Sequence, residues 1–450
     1  MKRFRTCSLD QPLLLPPSLH DWLPENHMAR FLAALTDALD LNPIIACYGR
    51  KDGRGQAAYH PLLMARLLLY GYMVGIRSSR RLEKATYEDV AFRYLTADQH
   101  PDHDSIAEFR RVHLEALEGL FLQALQMCEK AGLVKAGQIA LDGTKLAANA
   151  SRHQSKRYDR LSERERAMRE QVQRLMQEAE ATDRQEDDLY GKGRRGDELP
   201  EELATAAGQL RKIQAAKEEL EREAREKAEQ AAREKAAQQG KPKDEAQKKR
   251  WQRAKSAEPD GDAHSNLTDP ESRLMKDGAS KAFVQGYNAQ VAAAGAPQII
   301  VAQTVVTECN DRRQLNPLLE LVEKNLGQKP ELILADSGYW NEEEIVRAQR
   351  QQRDLLVPPD RGPDKQGQLP GNAPQGPAAQ QMRKRLSDPE QKQRYQKRSG
   401  MVEPVFGMIK ETLGYRRFLL RGLRKAQGEW ALMCTAFNLL KLYRYAPARA

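Results

Sequence analysis

The hydrophobic pattern changes period along the chain, and the changes divide it. Up to about residue 136, apolar positions recur at helical spacing. Residues 61–76 are apolar apart from one arginine and predict a buried helix opened by Pro61 at its first turn. A second helix is expected over residues 78–94, with Leu82, Ala85, Val90 and Tyr94 on one side. A third is expected from Ser105, a good N-cap, through Leu125. The turn between the first two carries Arg77, Arg80 and Arg81. Short helices with basic turns suit a DNA-docking module, and a bundle with a solvated basic rim has the same pattern. His100, His103 and His113 read as turn residues, because no cysteine or ordered third ligand lies near them.

Residues 137–144 then form a short apolar run bounded by glycines, which predicts a strand with Asp142 near its end. Residues 151–258 are rich in Glu, Lys, Arg, Gln and Ala. Leu161, Met168, Val172 and Leu175 recur at helical spacing, as do Leu203, Leu210, Ile213 and Leu220. The two stretches flank the loop 191–196 and predict an antiparallel helical hairpin with coiled-coil character, its far end 231–254 having little to bury. After it the period drops to that of strands. Residues 282–291 alternate as a half-buried strand, and 298–306 follow as its hairpin partner. A helix (313–326), a strand closing on Asp336 (331–338), a helix capped by Asn341 (341–351) and a short strand (354–357) come next. Residues 360–380 are a loop rich in Pro, Gly and Gln. A helix from Ser387 leads to Glu403, where Pro404 predicts a break or a fresh start. Beyond it Val405, Ile409 and Leu413 form an apolar stripe, and a last helix (429–445) is core.

Charge sharpens this picture. The 450 residues carry a net +10, and residues 383–425 alone hold thirteen Lys/Arg against four Asp/Glu, a net +9. Such concentration reads as a phosphate-binding footprint, in which a lone acid such as Glu403 is costly unless it works with those phosphates, for instance through a divalent metal. The five cysteines (7, 47, 128, 309, 434) are scattered without zinc spacing and suit a reducing cytosol. The N-terminal apolar run is too short and Pro-broken for a signal peptide, and the longest apolar run, residues 67–76, is too short to span a bilayer. A cytoplasmic, nucleoid-associated protein with no membrane partner is expected.

With the insertion removed, three strands are followed by helix, strand, helix, strand, helix. Carboxylates close the first and fourth strands, and a third lies on a late helix. This is the order of an RNase H-like α/β core, here with a helical N-terminal domain (1–136), a core built from 137–150 and 259–450, and a long coiled-coil-like helical insertion (151–258). Asp142, Asp336 and Glu403 are the candidate metal-binding and catalytic residues, for two Mg²⁺ or Mn²⁺ ions. An Asp-Gly after a strand is also an ordinary turn, so the joint occurrence carries this reading. Trp340 could stack on an unpaired base or simply pack.

The chain resembles bacterial insertion-sequence DDE transposases, in particular those of group eleven-eighty-two. The matching stretches are Leu141-Asp142-Gly143-Thr144-Lys145, Ala148-Asn149-Ala150-Ser151, Asp269-Pro270-Glu271-Ser272-Arg273, Gly286-Tyr287-Asn288, Ala335-Asp336-Ser337-Gly338-Tyr339, Val402-Glu403-Pro404-Val405-Phe406-Gly407 and Glu429-Trp430, with Pro101-Asp102-His103 and Phe109-Arg110 in the helical part. The resemblance implies Asp142, Asp336 and Glu403 as the triad. It also implies that Tyr395, Arg398, Glu403 and Lys410 correspond to a Tyr-Arg-Glu-Lys signature that contacts transposon-end phosphates. Four residues separate Arg398 from Glu403 where that signature has three, while six separate Glu403 from Lys410 as expected. The implied activity is binding of terminal inverted repeats, metal-assisted cleavage of DNA ends and joining of the 3′-hydroxyls to target DNA by a homodimer. Arg77, Arg80, Arg81, Arg416, Arg417 and Arg421 would add to the DNA contacts. The alternatives are a metal-dependent nuclease on the same fold, a catalytically silent DNA-binding derivative, and a coiled-coil scaffold supported only by residues 160–255.

Overall fold

The computed structural model describes residues 18–48, 58–190, 201–238, 256–278, 281–360, 362, 370–371 and 373–445. The N-terminal part is helical: α1 (Met28–Thr36), α2 (Asn42–Ile45), α3 (Pro61–Met73), α4 (Ser79–Glu88), α5 (Val90–Leu95), α6 (His103–Val112) and α7 (Leu114–Lys130). The single helix expected over 78–94 is two. Asp89 is extended (φ −113°, ψ 124°), and its carboxylate accepts from the Ala91 and Phe92 N–H groups to start α5. Ser105 is not the N-cap of the next helix. Asp102 takes that place and accepts from the Ser105 N–H at 2.8 Å. The chain breaks again at His113, so the long helix expected there is also two.

β1 (Gln138–Ala147) follows, and it overturns one expectation. Asp142 lies mid-strand, because pairing with a long neighbour carries β1 five residues past it to Ala147. The insertion contains β2 (Ser155–Arg157), α8 (Tyr158–Tyr190), α9 (Glu201–Gln238) and β3 (His264–Asn266). The two helices pack on each other around Leu161, Ile213, Ala216 and Leu220, and the β2–β3 pair closes their base. The loop 191–196 and residues 239–255 lie outside the described residues. The rest comprises β4 (Arg273–Lys276), β5 (Phe283–Ala294), β6 (Ile299–Val306), α10 (Leu315–Leu326), β7 (Leu332–Leu334), α11 (Glu342–Arg350), β8 (Leu355–Leu356), α12 (Pro377–Ser387), α13 (Pro389–Gly407), a π-helical turn (Met408–Thr412) and α14 (Leu423–Tyr445).

The sheet has the order β6-β5-β1-β7-β8, with β4 pairing the start of β5. β5 is antiparallel to both β1 and β6, while β7 is parallel to β1 and to β8. So β1, β6, β7 and β8 run the same way, and their C-terminal ends share one edge. β5 is not half-buried as its alternation suggests. Every residue from Gln285 to Ala294 is buried, as befits a central strand with strands on both sides. One continuous core joins the N-terminal helices, the sheet and α14. α14 packs on α3, α7 and β6, and its Trp430, Cys434 and Phe437 are fully buried. No helix among the described residues is long and apolar enough to cross a membrane.

The break expected at Pro404 is absent. α13 runs through it from its cap at Asp388. A proline removes the N–H that would bond the carbonyl four residues back, here that of Gly400. The side-chain amide of Gln298 donates to this carbonyl at 2.9 Å. The gap is thus filled from the β5–β6 turn, about a hundred residues away in sequence.

Candidate active site

The shared C-terminal edge of the parallel strands is where acids gather. Asp142 is presented by β1, and Asp336 follows β7 directly. The Asp336 carboxylate accepts from the Gly338 N–H at 3.0 Å, which fixes it at the mouth of a 3-10 turn. A third acid, Asp311, lies in the loop leaving β6. All three line one cleft of about 1140 Å³, larger than most small-molecule pockets and edged by cations: Lys145, Lys276, Arg312 and Lys410.

The electrostatics of the cleft are unbalanced. Burial and then the Asp336 charge push the Asp142 carboxyl up to about 6, against the pull of Arg398. Asp336 is raised too, by burial and by the Asp311 charge. Arg398 on α13 reaches Asp142 Oδ2 at 3.3 Å, and its side chain is only 16% exposed. Burial alone would depress the guanidinium, but Asp142, Tyr395 and Asp336 hold it above its ordinary value. Tyr395 is half-buried, and burial pushes its hydroxyl up. Lys410 Nζ donates to the Lys145 carbonyl at 3.2 Å, and burial pulls its amine down.

The other expected residues fall in different places. Glu403 is exposed on α13 and is not among the residues that line the cleft. The extra residue in the spacing accounts for this: five positions along an α-helix turn a side chain well away from that of Arg398, and the residue at the four-step position, Val402, is buried in the core. Arg416 is exposed and pairs with Glu411. Arg417 is exposed, and its backbone bridges Ala147. Arg421 donates to the Asn149 carbonyl at 3.0 Å. Arg80 and Arg81 are exposed on the first turn of α4. Arg77 instead turns inward, donating to the Arg417 carbonyl at 2.6 Å and lying over the Tyr415 ring at 4.6 Å. Trp340 lines the cleft but is 6% exposed, so packing holds most of its ring.

Sequence reasoning missed Asp311 and the lysines Lys145 and Lys276. A signal for Asp311 existed. A strand following a hairpin turn from β5 must run parallel to β1, so the residues after it arrive at the same edge as Asp142 and Asp336. Among the described residues, no group of three or more His, Cys, Asp or Glu is arranged to hold a metal ion; the donors the cleft offers are hard oxygens, of the kind Mg²⁺ or Mn²⁺ takes in preference to zinc.

Comparison with known protein families gives two matches. A family described as "Transposase domain (DUF772)" matches residues 17–112, and one described as "Transposase DDE domain" matches residues 368–443. The second stretch contains Tyr395, Arg398, Glu403 and Lys410, while Asp142 and Asp336 lie outside it. No curated protein and no solved structure matches the chain.

Proposed function

We propose that this chain, an insertion-sequence DDE transposase, binds the ends of its element and cuts them in the cleft between Asp142 and Asp336. One observation carries the reading: two aspartates from adjacent parallel strands meet, under mutual repulsion, in a cleft edged with lysine and arginine. The strand order and directions support an RNase H-like core.

Asp142 and Asp336 would hold divalent metal ions; Glu403, exposed on α13 outside the cleft, would join them as the third carboxylate only by a turn or shift of α13 when DNA binds. When bound, such ions supply Lewis acidity at the scissile phosphate and activation of the attacking water or 3′-hydroxyl. The chain's own residues do the rest. Arg398 offsets the Asp142 charge and, through that contact, anchors α13 on β1. Lys145 and Lys410 meet at the cleft wall and would receive the phosphate next to the cut. Lys276 and Arg312 on the rim would take its neighbours. Arg80 and Arg81 on α4, with Arg416, Arg417 and Arg421 beyond α13, form the surfaces for end recognition. A homodimer would bring two ends together for joining to target DNA.

The test is Mg²⁺-dependent cleavage of DNA carrying the element's own ends. Asp142→Ala, Asp336→Ala and Glu403→Gln are each expected to lose cleavage while still binding the ends. A variant that cuts normally removes that carboxylate from the site. Cleavage by wild type without any joined product would favour the nuclease reading.

A further inference from the structure

Asp311 has a more specific placement than its neighbours on the rim. Its Oδ1 is fully engaged. It accepts from Asn288 Nδ2 at 2.7 Å and from Gln290 Nε2 at 2.5 Å, and Lys145 Nζ lies 3.6 Å away. Asn288 and Gln290 are themselves fully buried, so this bracing is rigid. Among the described residues, Oδ2 has no such partner. It faces Gly338 beside Asp336.

Two glycines make this arrangement possible. A Cβ on Gly143 would stand 2.4 Å from Gln290 Nε2 and 2.8 Å from Asp311 Oδ1, closer than real side chains come. A Cβ on Gly338 would stand 3.0 Å from Asp336 Oδ1 and 3.6 Å from Asp311 Oδ2. The glycine after Asp142 therefore admits Asp311 and its brace. The glycine two residues after Asp336 leaves open the space onto which both carboxylates look. A braced carboxylate with one free oxygen, facing a second carboxylate across a gap that no side chain fills, is an arrangement suited to a shared cation.

We infer that Asp311 Oδ2 shares a divalent cation with Asp336, making Asp311 a further ligand of the cleft. The inference rests on the proposal that this cleft holds a divalent metal. It assigns to Asn288 and Gln290 the task of orienting Asp311, as outer partners do for metal-bound carboxylates.

The experiment is Mn²⁺ binding to the full chain, read from the loss of the free-ion electron paramagnetic resonance signal, without DNA. Asp311→Asn keeps the size of the side chain and its Oδ1 contacts. It is expected to weaken Mn²⁺ binding at least about tenfold, the scale on which loss of a ligand's hydrogen-bonding partner alone is felt. Asp336→Asn should do the same. Gly338→Ala, which places a methyl in the gap while leaving every carboxylate intact, should also weaken binding, and it keeps the test open should Asp311→Asn fold poorly. Wild-type affinity in both Asp311→Asn and Gly338→Ala, with Asp336→Asn impaired, overturns the role of Asp311 and leaves the cleft reading standing. Unchanged affinity in Asp142→Asn and Asp336→Asn, or no binding by wild type, overturns both.

Discussion

Two sets of acids withdrawn from solvent to different degrees contrast sharply in this molecule. Glu429, in the second turn of α14, is completely buried. Its carboxylate accepts from the Leu419 N–H at 2.9 Å and the Leu420 N–H at 3.0 Å, and Arg77 lies 3.4 Å away. Burial raises its pKa, but every neighbour the group touches is a donor or a cation. The group ties the N-terminal helices, through Arg77, to the segment between the π-turn and α14. Asp142 and Asp336 are half-buried, and apart from Arg398 much of the charge around them is negative. The contrast teaches that burial of an acid says little by itself. A carboxylate surrounded by donors holds the fold together, whereas neighbouring carboxylates that a single arginine offsets in part keep a repulsion that a bound cation or a proton relieves.

The largest effect expected from this contrast is on the structural side. Glu429→Ala leaves two N–H groups and the Arg77 guanidinium without their acceptor, and should cost about 3–5 kcal/mol in denaturant unfolding. A loss below about 1 kcal/mol would mean the hub is replaceable. Next in size is a pH effect on the cleft. The folded pKa of Asp142 is raised above its unfolded value of 3.8 to about 6. Its favourable contribution is therefore complete below about pH 4 and lost as pH rises through 6. Metal-free protein should lose on the order of 2–3 kcal/mol over that window, and Asp142→Asn should flatten the slope. An identical slope in the variant would place the titration elsewhere.

Smaller effects probe the supports of α13. Gln298→Ala strands the Gly400 carbonyl opposite Pro404 and also removes the acceptor of Lys441 Nζ, 2.8 Å away. A loss of about 1 kcal/mol is expected, with slower cleavage if α13 must stay straight to hold Arg398. At the bottom of the scale, Arg416→Ala breaks only an exposed pair with Glu411 and should change stability by less than about 0.5 kcal/mol, while weakening DNA binding and reducing its salt dependence.

The same contrast explains what the sequence made legible. Asp142 and Asp336 stood out because each follows a short apolar run, a local pattern that survives without the fold. The succession of the other core strands and helices followed from periodicity and the spacing of turns, but β4, four residues long, was not legible. Asp311 did not stand out, because it sits in the coil Cys309-Asn310-Asp311-Arg312 and gains its role only from the direction of β6. The continuity of α13 through Pro404 was equally hidden, since Gln298 supplies the missing bond from a distant turn. The helix breaks at Asp89 and His113 fell inside unbroken apolar periodicity. Glu429 read as part of a core helix, and nothing nearby in sequence announced Arg77 as its partner.

The most direct measurement is the thermal midpoint of the full chain at neutral pH with and without saturating Mg²⁺, for wild type, Asp142→Asn, Asp336→Asn and Glu429→Gln. Wild type and Glu429→Gln are expected to rise by a few degrees, the latter from a lower starting point, and the two cleft variants little or not at all. An equal rise in Asp142→Asn and wild type would contradict the claim that the repelling aspartates exist to hold a cation.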